Sequence, residues 1–330
     1  MTDATTTGAA AVDTAAEERT GAALGTASTD QARMVEQTIG RIAQWRGRQI
    51  SYAPVFGGLM NSNWRVRVDE EDFFVKIPGP GSEAFIDRDT THIAGMRAGE
   101  AGISARHVAY FPDKGIEVIE FLDGYRACTN GDMKRPDILA SVRRVQSAFH
   151  GIQPLPSTKT MLDMVDEHRV QAAQLKVTMP ANFAQVMREY DAAKSAFLAS
   201  GLDIVPAHND PMPGNFLIAD GKPMMLVDFE FASNNERAYE LGLTLCEFFC
   251  DEQRIHESVE DLYGRAEWAT LARVQACIAI ADIKWGLWGC VNQQLNDTWD
   301  FDYHKYGTWK FARAAAKIAD PRWPQWISAL

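Results

Sequence analysis

From Tyr52 to Phe121 apolar positions tend to alternate with polar ones, the period-two signature of half-buried strands. Trp64-Arg65-Val66-Arg67-Val68 and Phe73-Phe74-Val75-Lys76-Ile77 are the clearest runs, and Pro78 ends the second. The Gly- and Asn-rich stretch from Val55 to Asn63 is the turn of a hairpin leading into the first run. Residues 108–111 and 116–121 add two more strands around the Pro112-Asp113-Lys114-Gly115 turn. Residues 82–99 read as a helix with Ser82 as its N-cap, and residues 34–45 as an opening helix. Leu122-Asp123-Gly124 then leaves the strand-rich part.

Beyond Asp123 the pattern turns helical. Helices are expected over 136–150, 161–175 and 182–199, the last stopped by Gly201. Further helices follow over 238–249, 268–295 and 303–319. Between these sets, Phe216-Leu217-Ile218 and Met224 to Val227 read as two short strands around an Asp220-Gly221-Lys222 turn. The expected fold is therefore α+β in two lobes. Residues 34–122 form a small antiparallel sheet with one helix, and residues 123–330 a larger, mostly helical lobe. Residues 1–33 are Ala, Thr and Gly with scattered acids and no aromatic residue, which predicts a disordered tail. Asp13, Glu17, Glu18 and Arg19 interrupt any apolar region there, so it is not a signal peptide.

Composition narrows the partners. With 46 % hydrophobic and 23 % charged residues in 330, the chain has ample material for a core. A net charge of -11 argues against nucleic acid, whose phosphates select basic surfaces. It suits a cationic small molecule and metal ions. Cys128, Cys246, Cys250, Cys277 and Cys290 include no C-x-x-C pair and are expected to remain thiols in a reducing cytoplasm. Cys246 and Cys250 lie four apart on a helix, but no His or Cys cluster completes a metal site. No uninterrupted apolar run reaches the roughly 18 residues of a membrane span, so no membrane insertion is expected.

The chemistry concentrates between Ile204 and Phe231. His208, Asp210 and Asn215 spell H-x-D-x-x-x-x-N, and Asp228 follows the second short strand. Those are the parts of kinase-type phosphoryl transfer: a carboxylate that receives the acceptor's proton, then an amide and an acid that hold magnesium. Pro211, Pro213 and Gly214 shape a tight loop that aims Asp210 and Asn215 into one cleft. If the strand stays extended to Glu230, alternation puts Asp228 and Glu230 on one face, an arrangement that suits a divalent cation. Amides of the turn at Gly57, Gly58, Asn61 and Asn63 can approach phosphates, and Lys76 can reach them from its strand.

HNDPMPGNFL, VDFEFASNN, LGLTLCEFF, KWGLWGCVNQQ and FDYHKYGTWKFARA together resemble the choline/ethanolamine kinase family. GGLMNSNWRV, VKIPGPGSEAFIDR and YFPDKGIEVIEFLDG extend the resemblance through the front half, so that it runs from about Val55 to about Ala315. It implies a two-lobed protein-kinase-like fold that transfers the ATP γ-phosphate to the hydroxyl of choline, with ATP and Mg2+ as cofactors. Ethanolamine, another amino alcohol or an aminoglycoside is the alternative acceptor, and a non-catalytic amine-binding pseudokinase the alternative class. The resemblance also leaves room for a homodimer. By it, Asp210 is the base and touches substrate, Asn215, Asp228 and Glu230 bind the metal, and Glu120, Phe121 and Leu122 hold adenine. Phe231, Glu247, Trp285, Trp288 and Tyr306 form the amine cage, which fits a quaternary ammonium because such an ion offers no hydrogen-bond donor and is held by aromatic faces. Two departures stand out. The helix acid that orients the strand's basic residue is missing near Thr91, leaving Asp87, Asp89 or Glu83 to replace it. Phe231 and Phe248 stand where the family has Tyr and Trp.

Overall fold

The strand-rich part folds as its alternation requires. In the computed structural model, which describes residues 21–55, 61–79, 86–295 and 301–330, these strands form an antiparallel sheet. Its strands are β1 (Ala22–Ala23), β2 (Ile50–Val55), β3 (Asn61–Val68), β4 (Glu71–Pro78), β5 (His107–Phe111) and β6 (Ile116–Glu120), in the order β1-β2-β3-β4-β6-β5. The register sets Val66 opposite Phe73 and Val75 opposite Val118. Val66, Val68, Val75 and Val118 of the sheet share one core with Val35 and Ile39 of α1 (Asp30–Arg41) and with Trp45 just beyond it. Burying each such side chain stabilises the fold by about 1.5–3 kcal/mol.

The N-terminal expectation needs correcting. Residues 1–20 lie outside the described residues, but 21–33 have defined structure rather than belonging to a tail. β1 pairs with Ser51 and Tyr52, and α1 starts at Asp30, four residues before the expected start, with Thr29 capping it through the Ala32 N–H. The reason is one carboxylate. Glu36 Oε1 accepts hydrogen bonds from the amides of Gly25, Thr26 and Ala27 and from the Tyr52 hydroxyl, at 2.7–3.0 Å. Likewise α2 (Arg88–Glu100) is capped by Asp87, which takes the Thr90 amide, and not by Ser82, which lies outside the described residues. At Gly95 this helix approaches the sheet so closely that an added Cβ would fall 2.4 Å from His107 Nε2.

Contacts divide the chain into two units: the described residues up to Leu155 with Met212–Ala232, and Pro156–Pro211 with Ser233–Leu330. These are not the sequential lobes expected from the sequence, because later strands pair back. β7 (Arg126–Ala127) pairs with β9 (Phe216–Ile218), which pairs with β10 (Met225–Leu226), so α3 (Pro136–His150) and the predicted hairpin stay with the first unit. Gly221 turns that hairpin with φ +69°.

The second unit holds α4 (Met161–Gln174), α5 (Phe183–Ser200), α6 (Arg237–Glu247), α7 (Glu252–Tyr263), α8 (Trp268–Leu295), α9 (Tyr303–Ile318) and α10 (Trp323–Ser328). It also pairs β8 (Ile204–Ala207) with β11 (Ser233–Glu236), a pairing without a sequence signal. Helix α8 is the core of this unit, packed against α4, α6 and α9. By length and composition it could cross a membrane, and 89 % of its apolar window is buried inside the protein. A Cβ at Gly289 would meet Tyr306 Cδ1 at 2.9 Å, and one at Gly307 would meet Cys290 Sγ at 2.8 Å, so α8 and α9 pack backbone to backbone.

Candidate active site

Strand β4 carries Lys76 opposite Asn63 of β3 and Glu117 of β6. Its Nζ meets Asp228 Oδ1 at 2.7 Å and Glu230 Oε1 at 3.0 Å. Glu230 Oε1 also accepts a hydrogen bond from Asn61 Nδ2 at 2.9 Å and pairs with Arg88 Nη1 at 3.0 Å. The two carboxylates do not reach this ammonium through strand alternation, because β10 ends at Leu226 and Asp228 has φ +67°. Such a left-handed conformation costs a non-glycine residue on the order of 1–3 kcal/mol and persists only where its surroundings hold it. Here the Val227 N–H donates to the Asn215 carbonyl at 3.0 Å, and Lys76 holds the Asp228 carboxylate.

Electrostatics follow the geometry. Burial alone would lower the Lys76 pKa, but Asp228, then Glu230 and Glu117, outweigh it and raise it, so Lys76 stays charged. Burial raises Asp228, with Lys76 opposing and the neighbouring Glu230 adding to the rise. Glu230 faces the same burial, but with Lys76 and Arg88 both beside it, it ends below the usual range. Neither Asp87 nor Asp89 replaces the acid missing near Thr91. Asp87 caps α2 and Asp89 accepts from the Tyr110 hydroxyl, while Glu83 lies outside the described residues. Asp228 and Glu230 pair with Lys76 instead.

Gly57 and Gly58 also lie outside the described residues. At the end of β6 and just beyond it, the Glu120 amide donates to Arg106 O and the Phe121 amide to Asp72 O, and the Leu122 carbonyl accepts from the Tyr125 amide. Phe231, half-buried, belongs to the first unit with Asn215, Asp228 and Glu230.

Asp210 follows β8 in the second unit, half-buried, with its amide directed to His208 Nδ1 at 3.3 Å. The residue before it anchors the loop. Asn209 is fully buried at φ +63°, its amide donates to Glu240 Oε2 and its Nδ2 to Ser233 Oγ, both at 2.9 Å. Its Oδ1 accepts from Asn235 Nδ2 at 2.8 Å, and Asn235 Oδ1 in turn accepts from the Met161 and Glu236 amides at 2.7 and 2.8 Å. Asn235→Leu removes all three bonds of that side chain and strands two amide donors, so it should lower unfolding free energy by about 3 kcal/mol. Urea denaturation measures this, and a loss under about 1 kcal/mol would show that the network does not hold the loop.

Trp285 and Trp288 of α8 meet edge to face, 5.4 Å between ring centroids, and Trp288 packs in the same manner on Tyr303 at 5.6 Å and Tyr306 at 6.1 Å. Asp210, in the same unit, acts electrostatically on both Tyr306 and Lys284. Glu247 is already engaged: Lys310 Nζ bonds it and stands 3.5 Å from Asp282 Oδ1, while Arg313 Nε meets Asp282 Oδ2 at 3.0 Å. The Lys310 ammonium also lies 5.4 Å from the Tyr306 ring centroid. Sequence reasoning missed Arg88, Glu117, Asn235, Glu240, Lys284 and Lys310. Asp282 and Lys284 had one visible signal, charged residues in the middle of an otherwise apolar helix.

The structure thus brings together Asn61, Lys76, Asp228 and Glu230 in the first unit, and Asp210, Glu247, Trp285, Trp288 and Tyr306 in the second. Comparison with known proteins bears on what these sets belong to. The chain is similar to a probable ethanolamine kinase of Arabidopsis thaliana, 24 % identical over 287 residues, covering 76 % of this chain and 75 % of that one. It is 23 % identical over 262 residues to choline kinase alpha of Mus musculus, covering 64 % of this chain and 57 % of the relative. Among solved structures, a choline/ethanolamine kinase family protein from Mesorhizobium loti superposes with a TM-score of 0.77 at 26 % identity, covering 91 % of this chain and 98 % of the other. Neighbours in structure also include a spectinomycin phosphotransferase (TM-score 0.57, 12 % identical, covering 89 % of this chain and 98 % of that one), and the fold is the protein-kinase-like one. With the choline/ethanolamine kinase family model matching residues 53–264, this chain belongs to that family and is a phosphotransferase with an alcohol group as acceptor.

Proposed function

We propose that the chain transfers the γ-phosphate of ATP to the hydroxyl of choline, giving phosphocholine and ADP. The observation that carries the choice of amine is the aromatic group of Trp285, Trp288 and Tyr306 in the electrostatic reach of Asp210. Such faces attract a cation that cannot donate a hydrogen bond. With Glu247 held by Lys310, the group offers ring faces more readily than a charged acceptor, which favours a quaternary ammonium over the primary ammonium of ethanolamine.

Asp210 accepts the hydroxyl proton as the substrate oxygen bonds to the γ-phosphorus and the bond from phosphorus to the departing ADP oxygen breaks. Lys76, kept charged by its acids, contacts the phosphates, with Gly57, Gly58, Asn61 and Asn63 covering them. Glu120, Phe121 and Leu122 hold adenine. The oxygen-only donor set of Asn215, Asp228 and Glu230 fits Mg2+, since both carboxylates already draw a cation. When bound, the ion offsets the negative charge of the phosphates. The expected cytoplasmic location and the homodimer remain part of this proposal.

Incubating the purified protein with ATP, Mg2+ and a panel of choline, ethanolamine and an aminoglycoside tests the reading, with Asp210→Ala as blank. Choline should show the highest kcat/KM. Equal efficiency across the panel would remove the dedicated cage, and no product above the blank would remove the activity.

A further inference from the structure

Two of the ring faces expected to receive the amine, those of Trp285 and Tyr306, are each already approached by an ammonium of the chain itself. Lys284 Nζ lies 3.1 Å from the ring centroid of Trp285, with the residue 2 % exposed, and Lys310 Nζ lies 5.4 Å from that of Tyr306. The two lysines are not equivalent. Lys310 is held by Glu247 and Asp282, and its pKa is raised despite burial. The charged and titratable groups acting on Lys284 come from several elements: Asp210 after β8, Lys159 before α4, Glu167 and His168 on α4, and Lys310 on α9. Among the acids, Asp210 acts most strongly on Lys284, ahead of Glu167.

An incoming quaternary cation on the Trp285 face would meet the Lys284 ammonium there, and two like charges side by side in a buried place are strongly unfavourable.

We propose that Lys284 sets amine specificity by occupying the face of Trp285, and that a quaternary ammonium takes this place only as Lys284 releases its proton to solvent. The inference rests on the choline reading above and adds the residue that regulates it. Burial lowers the Lys284 pKa to about 7, so the exchange falls in the neutral pH range. His168, pushed by burial to about 4, stays neutral throughout that range. Lys310, fixed by its two acids, keeps its charge.

Tetramethylammonium, titrated calorimetrically into the nucleotide-free full chain, reads the exchange without any turnover. For the wild type, affinity should rise about 30-fold between pH 5.5 and 8.5, the tenfold-per-unit slope of a one-proton exchange below its midpoint. Runs in two buffers of different ionisation enthalpy at pH 6 should show close to one proton released per cation bound. Lys284→Met should bind the same cation with no proton release and at a pH-independent affinity near the wild-type value at pH 8.5. Lys284→Gln, which also lacks the charge, should behave as Lys284→Met does, and serves if the apolar variant is poorly folded. Lys284→Arg keeps its charge and should bind weakly at every pH. If the wild type binds tetramethylammonium with a flat pH profile and no proton release, or if the uncharged variants keep the wild-type profile, the exchange is wrong while the choline reading stands. If no variant binds the cation and no amine is turned over, the choline reading itself fails and takes the inference with it.

Discussion

Replacing Asp210 with Asn is expected to lower kcat for choline phosphorylation about a thousandfold, within the range by which a positioned base accelerates proton transfer. The KM for ATP should stay within about threefold of wild type, because the substitution removes the proposed proton acceptor and leaves Lys76, the proposed phosphate contact, unchanged. Asn is nearly isosteric, and Asp210 is half-buried at the end of a loop anchored through Asn209, so the melting temperature should hardly change. Steady-state kinetics with a melting curve on the same sample separates these effects. A kcat within tenfold of wild type would mean that the proton leaves by another route.

Asp228→Asn should have the second-largest effect, lowering kcat by about 10²–10³ through loss of a charge aimed at the transferring group. The Mg2+ concentration for half-maximal rate should rise at least about tenfold, as expected when a metal site loses a carboxylate. Stability should respond little. Asp228 is the acid of the pair that burial holds above its usual pKa, and Lys76 retains Glu230 after the change. A readout independent of turnover is the shift in melting temperature on adding Mg2+ without nucleotide, which should be present in the wild type and lost in the variant. A variant that keeps both its rate and its Mg2+ shift would take Asp228 out of the metal site.

The contrast between these acids shows how residues two apart acquire different properties. Glu230 is fastened by Asn61, Lys76 and Arg88, whereas Asp228 has Lys76 and a left-handed backbone. Alternation along a strand would have made them equivalent. The turn at Asp228 ends that equivalence and leaves the more weakly fastened carboxylate for the ion in the proposed reaction.

Much of the fold was legible in the pattern of residues. Among the described residues α8 covers the expected 268–295, and α3 covers the expected 136–150. The hairpin of β9 and β10 follows from two apolar runs around Asp220-Gly221. Helix starts were less legible at α1 and α2, because Thr29 and Asp87 compete with other capping residues nearby and tertiary contacts choose among them. At α1 the deciding group is Glu36, which gathers three loop amides and Tyr52.

By itself the sequence determined the family, the types of element and the order of Asp210, Asn215 and Asp228, since these depend on local spacing that any single chain carries. Only the tertiary structure decided which charges neutralise which: Lys76 meets Asp228 and Glu230 from more than 150 residues away, and Lys310 takes Glu247 from another helix. It also placed the Lys284 ammonium against Trp285. The physical reason is range. Periodicity reports which side of an element is buried, whereas ion pairing and pKa depend on ångström distances between side chains that the chain brings together only when its core closes.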